Sequence, residues 1–102
     1  MTPAEVVAAR EAGESLVVLD VRQPEELALA SVPNVLHIPM MTIPERLGEL
    51  DRSGRIAVLC HHGQRSANVC AYLKAQGFTD VHNIDGGIDA WARDLDASIG
   101  LY

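Results

Sequence analysis

Four short runs of β-prone, mostly apolar residues punctuate the chain, at Leu16–Leu19, Val35–Ile38, Ile56–Leu59 and Val81–Ile84. Each is too short to make a helix, and runs such as Leu16-Val17-Val18-Leu19 have no polar face. That pattern suits strands covered on both sides, as in a parallel sheet. The stretches between the runs carry helix signals. Thr2 stands three residues before Glu5, a capping-box spacing, with Pro3 at the first helical position and Gly13 as the stop. Thr42-Ile43-Pro44-Glu45 repeats the spacing and predicts a short helix carrying Leu47 and Leu50. Val69, Cys70 and Leu73 form one apolar face of a helix predicted over residues 67–76, closed by Gly77. A last helix is predicted from Gly87 to Asp94. Strands alternating with helices through short connections imply right-handed crossovers and an α/β fold with helices on both faces of the sheet.

The 102 residues suffice for one hydrophobic core and not two, so a single domain, 1–102, is expected. No apolar run approaches the roughly 18 residues of a membrane-spanning helix, and no membrane association is expected. The start, Met1-Thr2-Pro3-Ala4-Glu5, lacks the basic and apolar regions of a secretion signal, so a cytoplasmic location is expected, with Cys60 and Cys70 kept as thiols. Fourteen acidic against eight basic side chains give a formal net charge of −6, with no Lys/Arg cluster, which argues against a nucleic-acid partner.

Chemistry concentrates in Cys60-His61-His62-Gly63-Gln64-Arg65-Ser66, directly after the third run and before the predicted helix. A strand-to-helix turn gathers backbone N–H groups and the positive end of the helix dipole, which favours a thiolate or an attached anion. Open parallel sheets also collect ligands beyond the carboxyl ends of their strands. A cysteine closing a strand is often only a small buried residue. A polar loop with Gly63, Gln64, Arg65 and Ser66 as a helix cap serves no such purpose, and Cys60 is read as a nucleophile. Cys70, beside Val69 and Leu73, is read as core. A metal site is the competing reading of Cys60, His61 and His62. Zinc ligands come in convergent pairs, whereas adjacent His61 and His62 are expected to point apart, and His37 and His82 are read as strand-end or surface residues. No metal and no cofactor are expected.

Three segments together resemble the motifs of a single-domain rhodanese, a sulfurtransferase module: Asp20-Val21-Arg22 with Glu26, Cys60-x-x-Gly63-x-Arg65-Ser66, and Gly86-Gly87-Ile88-Asp89-Ala90-Trp91. The resemblance spans nearly the whole chain. It implies a central parallel sheet of about five strands. It also implies transfer of a sulfane sulfur from a donor such as thiosulfate, through a Cys60 persulfide, to cyanide, a thiol or a partner protein. His61, His62, Gly63, Gln64, Arg65 and Ser66 then form the substrate-binding loop. Its backbone donors would cradle the extra sulfur, while Arg65 and either histidine attract the anionic donor and Arg65 aids ionisation of the thiol. The implied partners are a small anionic sulfur donor and a sulfur-accepting protein. Asp20, Arg22 and Glu26 are read as ion pairs fixing the first strand, and Trp91 as packing the last helix onto the sheet. One segment departs from the pattern. Ala30-Ser31-Val32-Pro33-Asn34-Val35 stands where the family commonly has Gly-His-Ile-Pro-Gly-Ala, so the turn shaped by those glycines has none here.

Two rival functions fit the same fold and loop. One is a binding or regulatory module on the same fold without turnover. The other is a cysteine-dependent phosphatase or arsenate reductase, whose loop has one residue more between cysteine and arginine than the four between Cys60 and Arg65.

Overall fold

The computed structural model describes all 102 residues. The Thr2 capping box forms as expected: Glu5 N–H donates to Thr2 Oγ1 (3.2 Å) and Thr2 N–H to Glu5 Oε1 (2.9 Å), opening α1, Pro3–Glu11. There follow β1 (Val17–Asp20), α2 (Pro24–Leu29), β2 (Leu36–His37), a 3₁₀ segment (Met40–Glu49), β3 (Ile56–Leu59), α3 (Gln64–Ala75), β4 (Val81–Asn83), α4 (Gly87–Asp94) and a 3₁₀ turn (Ala97–Ile99). The strands pair in the order β2-β1-β3-β4, all parallel, with Asp20 in register with His37 on one side and Leu59 on the other. Each of the four apolar runs yields one strand. The fifth strand implied by the resemblance is absent, because no further β-prone run exists to make it.

Alternate residues of the strands feed two cores. Leu19, Val21, Ile56, Val58 and Val81 pack with Val69, Cys70 and Leu73 of α3 and with Ile43 and Leu50. Val18, Ala57, Leu59 and Ile84 pack on the opposite face with Val6 of α1 and with Ile88 and Trp91 of α4. Helices therefore cover both faces, and Trp91 is a packing residue. No helix is long and apolar enough to cross a membrane.

Three segments differ from the sequence reading or complete it. The helix α2 was not anticipated, although Pro24 at its first position and the Gln23 N–H donating to Glu26 Oε1 (3.0 Å) are ordinary start signals. The helix expected from Thr42 is instead a kinked 3₁₀ segment beginning at Met40. Thr42 Oγ1 turns back to donate to the Pro39 carbonyl (2.9 Å), Pro44 has no N–H to give, and Arg46 leaves helical geometry. At residues 30–35 the turn is made by Asn34, at φ 59°, a conformation asparagine tolerates better than most side chains. Arg10 clamps this turn, donating to the Pro33 (2.9 Å) and Asn34 (2.6 Å) carbonyls.

Because β2 and β3 flank β1 on opposite sides, the chain reverses its direction of winding there. A crevice opens beyond the carboxyl ends of β1 and β3. Asp20 ends β1 and Cys60 directly follows β3 at that end of the sheet, both buried.

Candidate active site

The helix after Cys60 starts three residues earlier than predicted. Gly63, at φ 100°, takes the position before its first turn, which Gln64, Arg65 and Ser66 then form, so Ser66 is not the cap. The left-handed residue bends the chain back on itself and aims amides inward. Cys60 Sγ accepts from the Gly63 N–H (3.0 Å) and the Ser66 N–H (3.4 Å), and lies 3.2 Å from Ser66 Oγ. Asn83, at the end of β4, organises this cradle: its Nδ2 donates to the Gly63 carbonyl (3.0 Å), which leaves Oδ1 to accept from the buried Ser66 hydroxyl. With its only proton committed to Asn83, the Ser66 oxygen is an acceptor for the Cys60 thiol. On ionisation of the sulfur, that hydroxyl can turn and donate to it.

Cys60 is only 1% exposed, yet polar groups surround its sulfur, and it lines a pocket of about 130 Å³ with His61, His62, Gln64 and Arg65. A larger hollow of about 310 Å³ lies beside α2 and the last 3₁₀ turn, lined by residues such as Leu27, Pro33 and Ser98. It holds no thiol, so the chemistry belongs to the smaller pocket.

The closing Gly86-Gly87 motif acts on the cysteine loop directly. The first amides of α4 donate to it, Ile88 N–H to the Cys60 carbonyl (2.8 Å) and Asp89 N–H to the His61 carbonyl (3.1 Å). Gly87 lies so close that a Cβ there would sit 2.4 Å from both carbonyl oxygens. Gly87→Ala is therefore expected to push the loop off α4 and lower any Cys60-dependent rate by on the order of a hundredfold. Steady-state kinetics on the folded variant test this, and an unchanged rate would refute the close fit.

The charged groups follow the sequence reading in part: all three acidic and basic residues of the first motif are paired, but Glu26 has a different partner. Asp20 and Arg22 form a fully buried pair (Nη2 to Oδ2, 2.8 Å), and Arg22 also donates to the Ala30 carbonyl (2.9 Å). Burial alone would lower the Arg22 pKa, but the Asp20 hydrogen bonds outweigh it and raise it. The Glu26 carboxylate does not join this pair. It takes both hydrogen bonds of the Arg65 guanidinium (2.6 and 2.7 Å), tying α2 to α3 across the crevice. Arg65 holds the Glu26 pKa down at about 2, and Arg65 is itself raised by the pair. Arg65 thus lines the pocket beside Cys60 with its guanidinium already paired to Glu26.

His61 and His62 do not point apart. Their rings stack with centroids 3.9 Å apart, because the loop turns both residues toward the start of α4. His62 Nδ1 lies 3.9 Å from Asp89 Oδ2, which also accepts from Arg93 (2.8 Å). Donor atoms of His61, His62 and Asp89 lie within 4.8 Å of one another, so a cation would find three ligands here. Tyr102 stacks on His61 at 3.8 Å. Burial, and next His62, lower the His61 pKa, and its Nε2 is buried with no hydrogen-bond partner. His37 and His82 lie elsewhere: His37 Nε2 meets the Arg22 carbonyl (2.7 Å), and His82 pairs with Asp80. Cys70 is buried on α3, where burial pushes its thiol pKa up.

Sequence reasoning missed Asn83 and Tyr102 as site residues. A polar side chain ending a strand on the ligand side of a parallel sheet could have flagged Asn83. Nothing local flags Tyr102.

Residues 2–94 match the model of the rhodanese-like domain. The chain is similar to YtwF of Bacillus subtilis, 46% identical over 81 residues covering 79% of this chain and 78% of the relative. It is also similar to the thiosulfate sulfurtransferase GlpE of Pseudomonas syringae pv. syringae, 37% identical over 89 residues covering 87% and 82% of the two chains. Among solved structures, a rhodanese-like domain protein from Staphylococcus aureus superposes with a TM-score of 0.84 at 36% identity, covering 89% of this chain and 88% of that one.

Proposed function

We propose that this chain, which belongs to the rhodanese-like domain family, is a sulfurtransferase that carries sulfur as a persulfide on Cys60. With thiosulfate as donor, the Cys60 thiolate attacks the outer sulfur. The S–S bond of thiosulfate breaks, sulfite leaves with the bonding pair, and the sulfur remains as Cys60–S–S⁻. A thiophilic acceptor then attacks that outer sulfur and restores the thiolate; cyanide departs as thiocyanate, and a thiol departs as its own persulfide. Each step moves one electron pair and needs no oxidant.

The single observation that carries this reading is the convergence of the Gly63 and Ser66 amides on the Cys60 sulfur. Donors fixed in place before reaction favour negative charge at that point. The 130 Å³ pocket beside it has room for the extra sulfur and a small anion. With four residues between Cys60 and Arg65, and the arginine tied to Glu26, the loop is tight and its guanidinium is occupied, which disfavours a phosphate or arsenate ligand. The sulfur-transferring names of relatives such as GlpE point the same way.

Intact-mass measurement after incubation with thiosulfate is expected to show a single added sulfur atom that cyanide or dithiothreitol removes. No adduct under these conditions would move a non-catalytic binding role to the front. Hydrolysis of an aryl phosphate that depends on Cys60 would favour a phosphatase.

A further inference from the structure

The match to the family model ends at residue 94, yet the residues after it contribute a side chain to the site. Asp96 Oδ1 accepts from the Ser98 N–H (3.1 Å), capping the 3₁₀ turn Ala97–Ile99, and Ile99 packs on the core beside α1 and α4. The chain is thereby directed back over the crevice. Tyr102 ends up with its ring 3.8 Å from that of His61 and only 8° from parallel. Since His62 also stacks on His61, at 3.9 Å, the two rings must occupy opposite faces of the imidazole. The Tyr102 hydroxyl is held at both ends: it donates to Glu26 Oε2 (2.7 Å) and accepts from Arg22 Nη1 (3.1 Å). Those partners are themselves locked, Glu26 by Arg65 and Arg22 by Asp20.

The imidazole of His61 is thus held on both faces by stacked rings and packed against the last residue of the chain. His61 lines the same small pocket as Cys60.

Resting on the sulfurtransferase reading, we propose that Tyr102 is a positioning residue: it fixes the His61 imidazole as a wall of the Cys60 pocket, against which the sulfonate group of the donor and the departing sulfite are seated. His61 touches the anion, and Tyr102 acts only through His61.

The test measures sulfur transfer from thiosulfate to cyanide in wild type, Tyr102→Phe, Tyr102→Leu, His61→Ala and the Tyr102→Leu/His61→Ala double variant. Tyr102→Leu keeps apolar bulk but removes the flat ring, and is expected to lower kcat/KM by about tenfold, mostly through the KM for thiosulfate. Tyr102→Phe keeps the ring and is expected to stay within about threefold of wild type. The double variant should be no worse than His61→Ala alone. Wild-type kinetics in Tyr102→Leu, or losses that add in the double variant, would overturn the proposal. A readout that needs no Tyr102 variant is the ¹⁵N shift of His61 in Cys60→Ser protein titrated with sulfite. It should move while those of His37 and His82 stay still, and a static His61 would overturn the proposal. Should wild type accept no sulfur from thiosulfate, the sulfurtransferase reading itself falls; wild type that transfers sulfur alongside an unaffected Tyr102→Leu defeats only the role given to Tyr102.

Discussion

Cys60→Ser is expected to lower sulfur transfer by at least about a thousandfold, while Cys70→Ala stays within about twofold of wild type. The contrast follows from where each sulfur sits. Serine at position 60 can keep the hydrogen bonds from the Gly63 and Ser66 amides, so the loop has no reason to rearrange. An alcohol remains protonated near neutral pH and is a poor nucleophile toward divalent sulfur, so only the chemistry is removed. Cys70 lies on the apolar face of α3 with Val69 and Leu73, in a setting that raises its thiol pKa and offers no inward amides. Alanine there leaves a small void and no orphaned polar atom, at a cost of about 1–2 kcal/mol in stability. Continuous assay of thiocyanate formation, with thermal unfolding as a check on folding, decides the matter. Retained turnover in Cys60→Ser, or its loss in Cys70→Ala, would relocate the nucleophile.

The largest effect on stability is expected from Asp20→Ala, a loss of about 3–5 kcal/mol in the free energy of unfolding. Asp20 and Arg22 are both completely buried. Removing the carboxylate strands a guanidinium inside the protein with only carbonyl groups and the Tyr102 hydroxyl for company. The pair as a whole is a different matter. Replacing both residues with leucine removes the stranded charge along with its partner, and the double variant should recover much of the loss. Because small domains are stable by only about 5–15 kcal/mol, urea denaturation resolves these steps readily. A change below about 1 kcal/mol for Asp20→Ala would mean that water or a rearranged partner reaches Arg22.

Much of the fold was legible because it depends on short-range signals. The run Ile56–Leu59 became β3 with the expected bounds, and the helix opening at Gly87 ended at Asp94 as expected. The failures have local physical causes. The Thr42 hydroxyl donates to the Pro39 carbonyl instead of capping a helix, and α2 opens on the short-range signals of Gln23 and Pro24. The fifth strand came from the resemblance alone and had no sequence run behind it. The departure at residues 30–35 proved harmless, since Asn34 takes up the left-handed geometry and Arg10 secures the turn from a helix more than twenty residues away.

The cysteine loop was legible for a similar reason: its residues are consecutive, and their spacing encodes the turn. Its surroundings were not. Glu26 meets Arg65 and Asn83 meets Gly63 and Ser66 only because the parallel sheet brings the ends of β1, β3 and β4 together, and Tyr102 meets His61 only because the last 3₁₀ turn directs the chain back over the site. No spacing along the chain foretells which carboxylate will claim Arg65. The divergence expected of His61 and His62 failed likewise, because alternation of neighbouring side chains is a property of strands, and these two residues belong to a turn.

The pairing of Arg65 with Glu26 has a consequence for how molecules arrive. A formally neutral couple at the mouth, on a protein of net charge −6, offers an approaching dianion no long-range pull across the solvent. What favours the anion is a set of peptide dipoles whose influence fades within a few ångströms, well inside the roughly 8–10 Å over which ordinary salt screens charge. Encounter is then governed by diffusion and fit rather than by attraction at a distance. Discrimination then falls to the walls of a pocket of about 130 Å³ around a sulfur that is only 1% exposed.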